Sequence, residues 1–462
     1  MEKRVVVWVL LFALLFIPVN RMAFAVEDEN SIKKEDKTEE NKKLEDENKP
    51  LKDENKPKEN ENKPLKDENI PKENENKPLK DEIKPDKDEN TQLIGNENLP
   101  LIENMPFEIK AKSALLMVGN TGQIIFEMNG SIERPIASIT KIMTMLLVME
   151  ALEQNKITMD DVVVASEHAC GMGGSQVYLA VGEEFTVHEL LKAVAIHSAN
   201  DASVALAEHV AGSEGVFVSM MNEKAAALGM TNTHFLDCSG LTDVGHYSTA
   251  RDIAIMAREL ITKHPTIIEY TTIKRDTFRS GTFGLDNTNH LIGKYRGMTG
   301  LKTGVTDASG YCLAATASRD GLDLISVVLG ADTMSLRFSE SAKILDYGFS
   351  NYEIMTIERQ GAIAGNVDVK KGLGLSVPVA YEENRSVLLK RGQRDKVEEE
   401  IRLPEYIQAP VSIGDNAGEM ILKLDNNSIL NIPLVAKEDV DKATWLKLFW
   451  RLTVHWFSLA RR

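Results

Sequence analysis

Cysteine is scarce in this chain: Cys170, Cys238 and Cys312 are the full set in 462 residues, an odd number without C-x-x-C spacing. That excludes a disulfide framework or a zinc ribbon as the organising device. Each thiol is expected to be a small packing residue, Cys312 above all because it lies in an apolar run, with a Cys170–Cys238 bridge as the alternative. The histidines show no H-E-x-x-H or other ligand spacing, so neither a metal nor a cofactor is implied. Aromatic residues are missing from Val26 to Pro106, where the composition collapses to Lys, Glu, Asp, Asn and Pro. Such a stretch cannot bury enough apolar surface to offset its chain entropy and is expected to be disordered. Excess positive charge is also missing. The formal net charge of -16 argues against nucleic acid as a partner.

Long apolar runs are confined to the amino terminus. Met1 to Arg4 is basic, Val5 to Val19 is apolar, and Ala23-Phe24-Ala25 fits an A-x-A cleavage site, which together read as an export signal over residues 1–25. An uncleaved anchor is disfavoured because a run of about 15 residues is short for a membrane span. Residues 26–106 follow as the polar tail. Within it Pro50-Leu51-Lys52-Asp53-Glu54-Asn55 recurs from Pro64 and again from Pro78, a period of 14 residues that matches no packed repeat unit and favours an extended spacer. Cell-wall association of this tail is one reading, and tolerated low-complexity expansion the other.

Folded sequence begins near Phe107. Strands are expected over Ser113 to Val118 and Gly122 to Phe126, joined at Asn120-Thr121-Gly122. The run Ile142 to Met149 is apolar almost all round, hence a buried helix starting near Ala137 or Ser138. Further helices are expected over Val187 to Ala195, Ala202 to Val210, Val216 to Leu228, Thr249 to Thr262 and Ser335 to Tyr347, with strands over Tyr311 to Ala317 and Asp323 to Leu329. This describes a mixed α/β domain over residues 107–352. Short alternating runs such as Ile421-Leu422-Lys423-Leu424 then predict a small all-β domain over 353–438. Over 439–462, Lys447, Arg451, His455, Ser458 and Arg462 share one stripe of a helix, with Trp445, Leu448, Phe449, Leu452, Trp456 and Phe457 on its other faces. Basic and without acids from Lys442 onward, it suits an anionic membrane interface better than a spanning role, with docking on a partner protein as the alternative.

Three motifs carry the chemistry: Ser138-Ile139-Thr140-Lys141, Ser198-Ala199-Asn200 and Lys302-Thr303-Gly304. S-x-x-K, S-x-N and K-T-G in this order supply a serine nucleophile, an amine base, a hydroxyl relay and a cationic carboxylate clamp. Ser31-Ile32-Lys33-Lys34 in the tail is a chance S-x-x-K. Ser138 and Lys141 at i and i+3 share a helix face. An ammonium cannot accept a proton, so Lys141 must be kept neutral by burial and by a second cation, for which Lys302 is the candidate. The helix start at Ser138 also offers a backbone N–H to a developing oxyanion.

These motifs, about 60 and 100 residues apart, resemble the penicillin-recognising serine enzymes, and in particular the low-molecular-mass D-alanyl-D-alanine carboxypeptidases. Pro135-Ile136-Ala137, Tyr247 to Asp252, Asn287-Thr288-Asn289 and Gly310 to Leu313 add to the likeness, which covers about residues 107 to 460 but not the tail. The resemblance implies a β-lactamase/transpeptidase-like catalytic domain of antiparallel sheet and helices. It implies further that Ser138 forms the acyl-enzyme with the penultimate D-alanine of a peptidoglycan stem peptide while Lys141 takes its proton. Ser198 would relay a proton to the leaving amine, and Asn200 would bind Lys141 and the substrate amide. Lys302 and Thr303 would hold the terminal carboxylate, with help from Arg337. Gly304 would give room for a strand-paired substrate, and the N–H of Val305 would complete the oxyanion hole. Penicillins would be inhibitors, and the protein would sit peripherally on the outer face of the bacterial cytoplasmic membrane.

The middle motif has Ala199 where many relatives have glycine, which adds only a methyl group. His197 beside Ser198 has no G-x-S-x-G elbow to make it a hydrolase base and is read as structural. A class A β-lactamase would need a deacylating glutamate near Phe235-Leu236-Asp237-Cys238, where no E-x-x-x-N occurs. The remaining alternatives are a D,D-endopeptidase acting on cross-links and a catalytically silent wall-binding surface protein.

Overall fold

The structure, a computed structural model, describes residues 105–242 and 244–459. The expected signal and all but the last two residues of the expected polar tail lie outside the described residues. Alternating apolar positions build the central sheet. Its five strands among the described residues run in the spatial order Ile124–Met128, Ser113–Val118, Leu322–Ala331, Gly310–Arg319, Met298–Thr306, antiparallel throughout. Both faces are covered, so the strands are apolar on both sides. Leu115, Met117, Ile325 and Val327 face a large helical layer, whereas Leu116, Val118, Leu324 and Val328 face the helix Met334–Asn351. Met298–Thr306 ends the sheet, which leaves one strand edge beside the motifs.

At the centre of the helical layer is Lys141–Glu153, ten of whose residues are buried, as its all-round apolar sequence requires. Around it pack Asn200–Ala211, Glu214–Ala227 and Ala250–Lys263. Ser213 and Thr249 cap two of these helices by accepting from Val216 N and Asp252 N. The expected helices and strands of this domain are all present. The expected helix over Val187 to Ala195 divides into an α segment, Val187–Lys192, and a π turn, Ala193–His197. All three cysteines are free, Cys238 and Cys312 buried and Cys170 half-buried.

The chain passes directly from the helix ending at Asn351 into the strand Tyr352–Ile357 and the β module. Six strands pair in the order Val397–Arg402, Asn416–Leu424, Asn427–Ala436, Ser376–Tyr381, Ile363–Lys370, Tyr406–Gln408, beside the pair Tyr352–Ile357 with Arg385–Lys390. The fold is therefore the expected α/β domain followed by an all-β domain. A final helix covers Trp445–Leu459. One residue of the expected polar stripe behaves differently: Arg451 turns back onto the β module and donates to the carbonyls of Gly372 and Leu373. Trp445, Leu446, Phe449, Trp450, Leu452 and Trp456 are left exposed. The side chains of His455, Phe457 and Ser458, and all of Arg461 and Arg462, lie outside the described residues.

Candidate active site

Ser138 stands on a short 3-10 turn, Ala137–Thr140, that runs directly into the buried helix. Ala137 enters that turn at φ 48°, a left-handed conformation that strains a residue with a Cβ by about 1–3 kcal/mol. Neighbours hold it there. The Ala137 carbonyl accepts from Thr140 Oγ1 at 2.8 Å, and Gly304 and Gly240 press on the turn from two sides. A Cβ on Gly304 would lie 2.6 Å from the Ile136 carbonyl oxygen and 3.2 Å from Ala137 Cβ. Glycine at this position thus serves the packing of the strand against the Ser138 turn.

The Lys141 amine, wholly buried, sits 3.0 Å from Ser138 Oγ, 2.6 Å from Asn200 Oδ1 and 2.6 Å from the carbonyl oxygen of Ser239. Asn200 Nδ2 donates to Gly173 O at 2.7 Å, which fixes the amide with its oxygen toward Lys141. Two of the three partners can only accept. A neutral amine has two hydrogens and one lone pair, so Asn200 and Ser239 take both hydrogens and the lone pair is left for the Ser138 hydroxyl. The electrostatics make that state accessible at neutral pH. Burial pulls the Lys141 pKa down to about 7, against the opposing pull of Cys238, Asp237 and Asp201. Of the two expected causes of this neutrality, burial is the dominant one, and Lys302 is not among the groups that shift Lys141.

Ser198 follows the π turn in a left-handed conformation, φ 66°. Its hydroxyl accepts from Lys302 Nζ at 2.9 Å, and the same amine donates to the carbonyl of Thr303 at 2.9 Å. Lys302 is itself pushed well below the usual lysine range, by burial first and then by Lys141 and Arg337. Thr303 Oγ1 donates to Thr288 Oγ1 at 2.7 Å. Arg337 is buried, its Nη1 donating to Gly304 O at 3.2 Å, while its Nε has no partner among the described residues.

Ser138, Ser198, Asn200, Thr303, Gly304, Val305 and Arg337 line one cavity of about 490 Å³, and Lys141 and Lys302 are buried behind it against its two serines. All nine residues singled out in the sequence therefore come together. A hollow of similar volume between Met105–Ile109, Phe126 and Met128 has Glu108 as its one ionisable side chain and offers no nucleophile. His197 takes no part in these contacts: its ring packs edge-on against Phe283.

Sequence reasoning missed the loop that closes the site. Asp237 accepts from the backbone N–H of Ser239 at 2.8 Å and of Thr242 at 2.8 Å, and also from Gly240 and Leu241. Burial pushes its pKa up, but the donated hydrogen bonds, Thr242 foremost, and nearby His246 outweigh that and bring it to about 2. The loop so folded delivers the Ser239 carbonyl to Lys141. A contribution made through a backbone carbonyl leaves no residue-type signal.

A model of the D-alanyl-D-alanine carboxypeptidase family matches residues 100–333, and one of the penicillin-binding protein 5 C-terminal domain matches residues 352–442. The chain is 44% identical over 351 residues to the D-alanyl-D-alanine carboxypeptidase DacF of Bacillus subtilis, covering 75% of this chain and 90% of that protein. With DacC of Escherichia coli, also a D-alanyl-D-alanine carboxypeptidase, the identity is 35% over 362 residues, 76% of this chain and 90% of the relative. Penicillin-binding protein 5 of Haemophilus influenzae superposes with a TM-score of 0.67 at 33% identity, over 73% of this chain and 100% of that one.

Proposed function

The chain belongs to the serine D-alanyl-D-alanine carboxypeptidases, and on that premise we propose how its residues divide the reaction. Lys141 Nζ accepts the Ser138 hydroxyl proton as Oγ attacks the carbonyl carbon of the penultimate D-alanine. The backbone N–H groups of Ser138 and Val305 hold the oxyanion. As the tetrahedral intermediate collapses, the C–N bond breaks and the proton passes from Lys141 through Ser198 to the leaving D-alanine amine. Water then attacks the acyl-Ser138 ester, again losing a proton to Lys141, and Oγ recovers its hydrogen. Lys302, Thr303 and Arg337 bind the terminal carboxylate; an arriving anion favours the protonated form of the buried Lys302 amine. The stem peptide pairs along the open edge of Met298–Thr306. Asn200 orients both Lys141 and the substrate amide.

The observation that carries this reading is the buried Lys141 amine 3.0 Å from Ser138 Oγ, with Asn200 Oδ1 and the Ser239 carbonyl oxygen as its other two partners. Incubating the protein with a pentapeptide muropeptide and weighing the product tests it: loss of one alanine is expected from the wild type and not from Ser138→Ala. Cleavage of a cross-linked dimer in place of the pentapeptide would assign the endopeptidase reaction instead. Penicillin, which presents a strained amide and a carboxylate to the same groups, acylates Ser138 in this reading, so Ser138→Ala is not labelled by a fluorescent penicillin.

Enzymes of this family work on the cell wall, outside the cytoplasm. The finer location proposed for this chain is the membrane surface, with the helix Trp445–Leu459 lying in the interface. Support comes from Trp445, Trp450 and Trp456, each at least 70% exposed, beside Lys442 and Lys447. No helix of the described residues is long and apolar enough to cross a membrane. Vesicles containing anionic lipid are expected to sediment the protein, and Trp450→Ser with Trp456→Ser to abolish this without affecting hydrolysis of a soluble peptide.

A further inference from the structure

Behind the nucleophile turn runs a directional chain of hydrogen bonds that the reaction steps above do not use. The backbone N–H of Leu236 donates to His246 Nδ1 at 3.2 Å. That nitrogen is thereby the acceptor, so the ring proton sits on Nε2, which lies 2.7 Å from Thr140 Oγ1. The Thr140 hydroxyl has a single hydrogen, and it goes to the Ala137 carbonyl at 2.8 Å. Thr140 and His246 are 0% and 1% exposed, so water does not compete for these groups. Asp237 Oδ2 approaches His246 Nδ1 no nearer than 3.8 Å, beyond hydrogen-bond reach.

The chain ends on the strained residue. Ala137 keeps φ 48° immediately before Ser138, and its carbonyl is held by Thr140 on one side and covered by Gly240 on the other. The segment from Asp237 to His246 therefore touches both halves of the catalytic pair. It reaches Lys141 through the Ser239 carbonyl and reaches the Ser138 turn through Gly240 and through His246 with Thr140. We propose that His246 and Thr140 are positioning residues that lock the left-handed Ala137 turn and so set Ser138 Oγ against the Lys141 lone pair. Neither side chain lines the cavity, so they act on the nucleophile and not on the bound substrate. Without the His246 donor, the Thr140 hydroxyl can rotate toward another carbonyl of the preceding turn, and Ala137 is released toward ordinary φ.

The inference rests on acylation of Ser138, and the experiment separates the two. The full chain is titrated with a fluorescent penicillin, and the pre-covalent dissociation constant and the limiting acylation rate are measured separately alongside the melting temperature. Thr140→Val keeps the shape and removes the hydroxyl; it is expected to acylate about 10- to 100-fold more slowly with unchanged pre-covalent affinity, and Thr140→Ser to restore the rate to within about threefold. His246→Leu is expected to be slow likewise, and His246→Gln, which can accept from Leu236 and donate to Thr140, faster than His246→Leu. The proposal is overturned if Thr140→Val acylates at the wild-type rate, if its loss lies in pre-covalent affinity, or if Thr140→Ser is no faster than Thr140→Val. Should Thr140→Val not fold, the His246 pair decides: equal rates for Gln and Leu overturn it. A wild type that is not acylated at Ser138 refutes the assigned reaction instead.

Discussion

Arg337 Nη1 donates to the carbonyl oxygen of Gly304 at 3.2 Å, so a buried guanidinium is braced against the strand that also carries Lys302 and Thr303. A free arginine on the first turn of a helix would be unremarkable; this one is held in the cavity wall with its Nε unpartnered among the described residues, which supports the carboxylate contact proposed above. Arg337→Ala is expected to raise KM for a D-alanyl-D-alanine peptide by about 10- to 100-fold with a smaller change in kcat. Lysine should rescue poorly, because it lacks the planar fork. Amidating the substrate's terminal carboxylate checks the assignment: the wild type should lose most of its advantage over Arg337→Ala on the amide. An Arg337→Ala penalty of equal size on both substrates would rule out the carboxylate contact.

The pH profile follows from Lys141. Its pKa is lowered to about 7 by burial, and in the proposed reaction the neutral amine is the form that accepts the serine proton. In the free enzyme, kcat/KM for acylation should therefore rise with pH through a midpoint near 7 and flatten above it. The stability linkage has the same sign. The unfolded lysine titrates at about 10.4 and binds the proton that the folded one releases, so this group's contribution to stability rises with pH from about 7 to the unfolded value. Penicillin acylation rates measured from pH 5 to 10 read the first effect directly, and a rate independent of pH across neutrality would contradict a neutral Lys141 as the base.

Most of this site was legible because its chemistry is written in side chains. S-x-x-K, S-x-N and K-T-G name the side chains that meet at the cavity, proposed above as nucleophile, base, relay and clamp, and the all-round apolar run after Ser138 announces a helix buried deeply enough to lower a lysine's pKa. What was illegible is done by backbone. Ser239 contributes a carbonyl, Gly240 an absence of Cβ, and Ala137 a φ that no propensity assigns to alanine. Asp237 sits where a class A β-lactamase would need its deacylating glutamate, yet its carboxylate folds a loop by accepting backbone N–H groups. Arg451 reads as one more cation on a stripe suited to an anionic interface, because nothing in a helical period shows that the β module offers two carbonyls opposite it.

Asp237 makes a separable prediction about stability. Its carboxylate accepts at least four backbone N–H groups, and its pKa falls to about 2 in spite of burial. A depressed carboxylate contributes stability that is present above the unfolded pKa of about 3.9 and is lost as pH falls toward about 2. Asp237→Asn should lower the unfolding free energy at pH 7 by about 2 kcal/mol and by little near pH 2. Urea titrations at the two pH values supply the comparison, and an equal loss at both would point to shape in place of charge.

Two glycines with nearly the same positive φ separate strain from function. Gly240 has φ 78° and Gly212 has φ 81°, so alanine at either is strained by about 1 kcal/mol. Nothing lies within 4 Å of a Cβ at Gly212, whereas at Gly240 it would sit 1.9 Å from the Ala137 carbonyl oxygen and 2.7 Å from Thr140 Oγ1. Neither neighbour is the loose end of a long side chain, so in Gly240→Ala the loop or the nucleophile turn must move. A moving loop withdraws the Ser239 carbonyl from Lys141, and a moving turn displaces Ser138. Either way the Ser138–Lys141 geometry is lost, and acylation is expected to slow by about 100-fold or more. Gly212→Ala should share the small loss in melting temperature and acylate at the wild-type rate. Similar acylation rates for the two alanine variants would show that the loop can yield without disturbing the catalytic pair, and would remove Gly240 from the machinery that holds Ser138 in place.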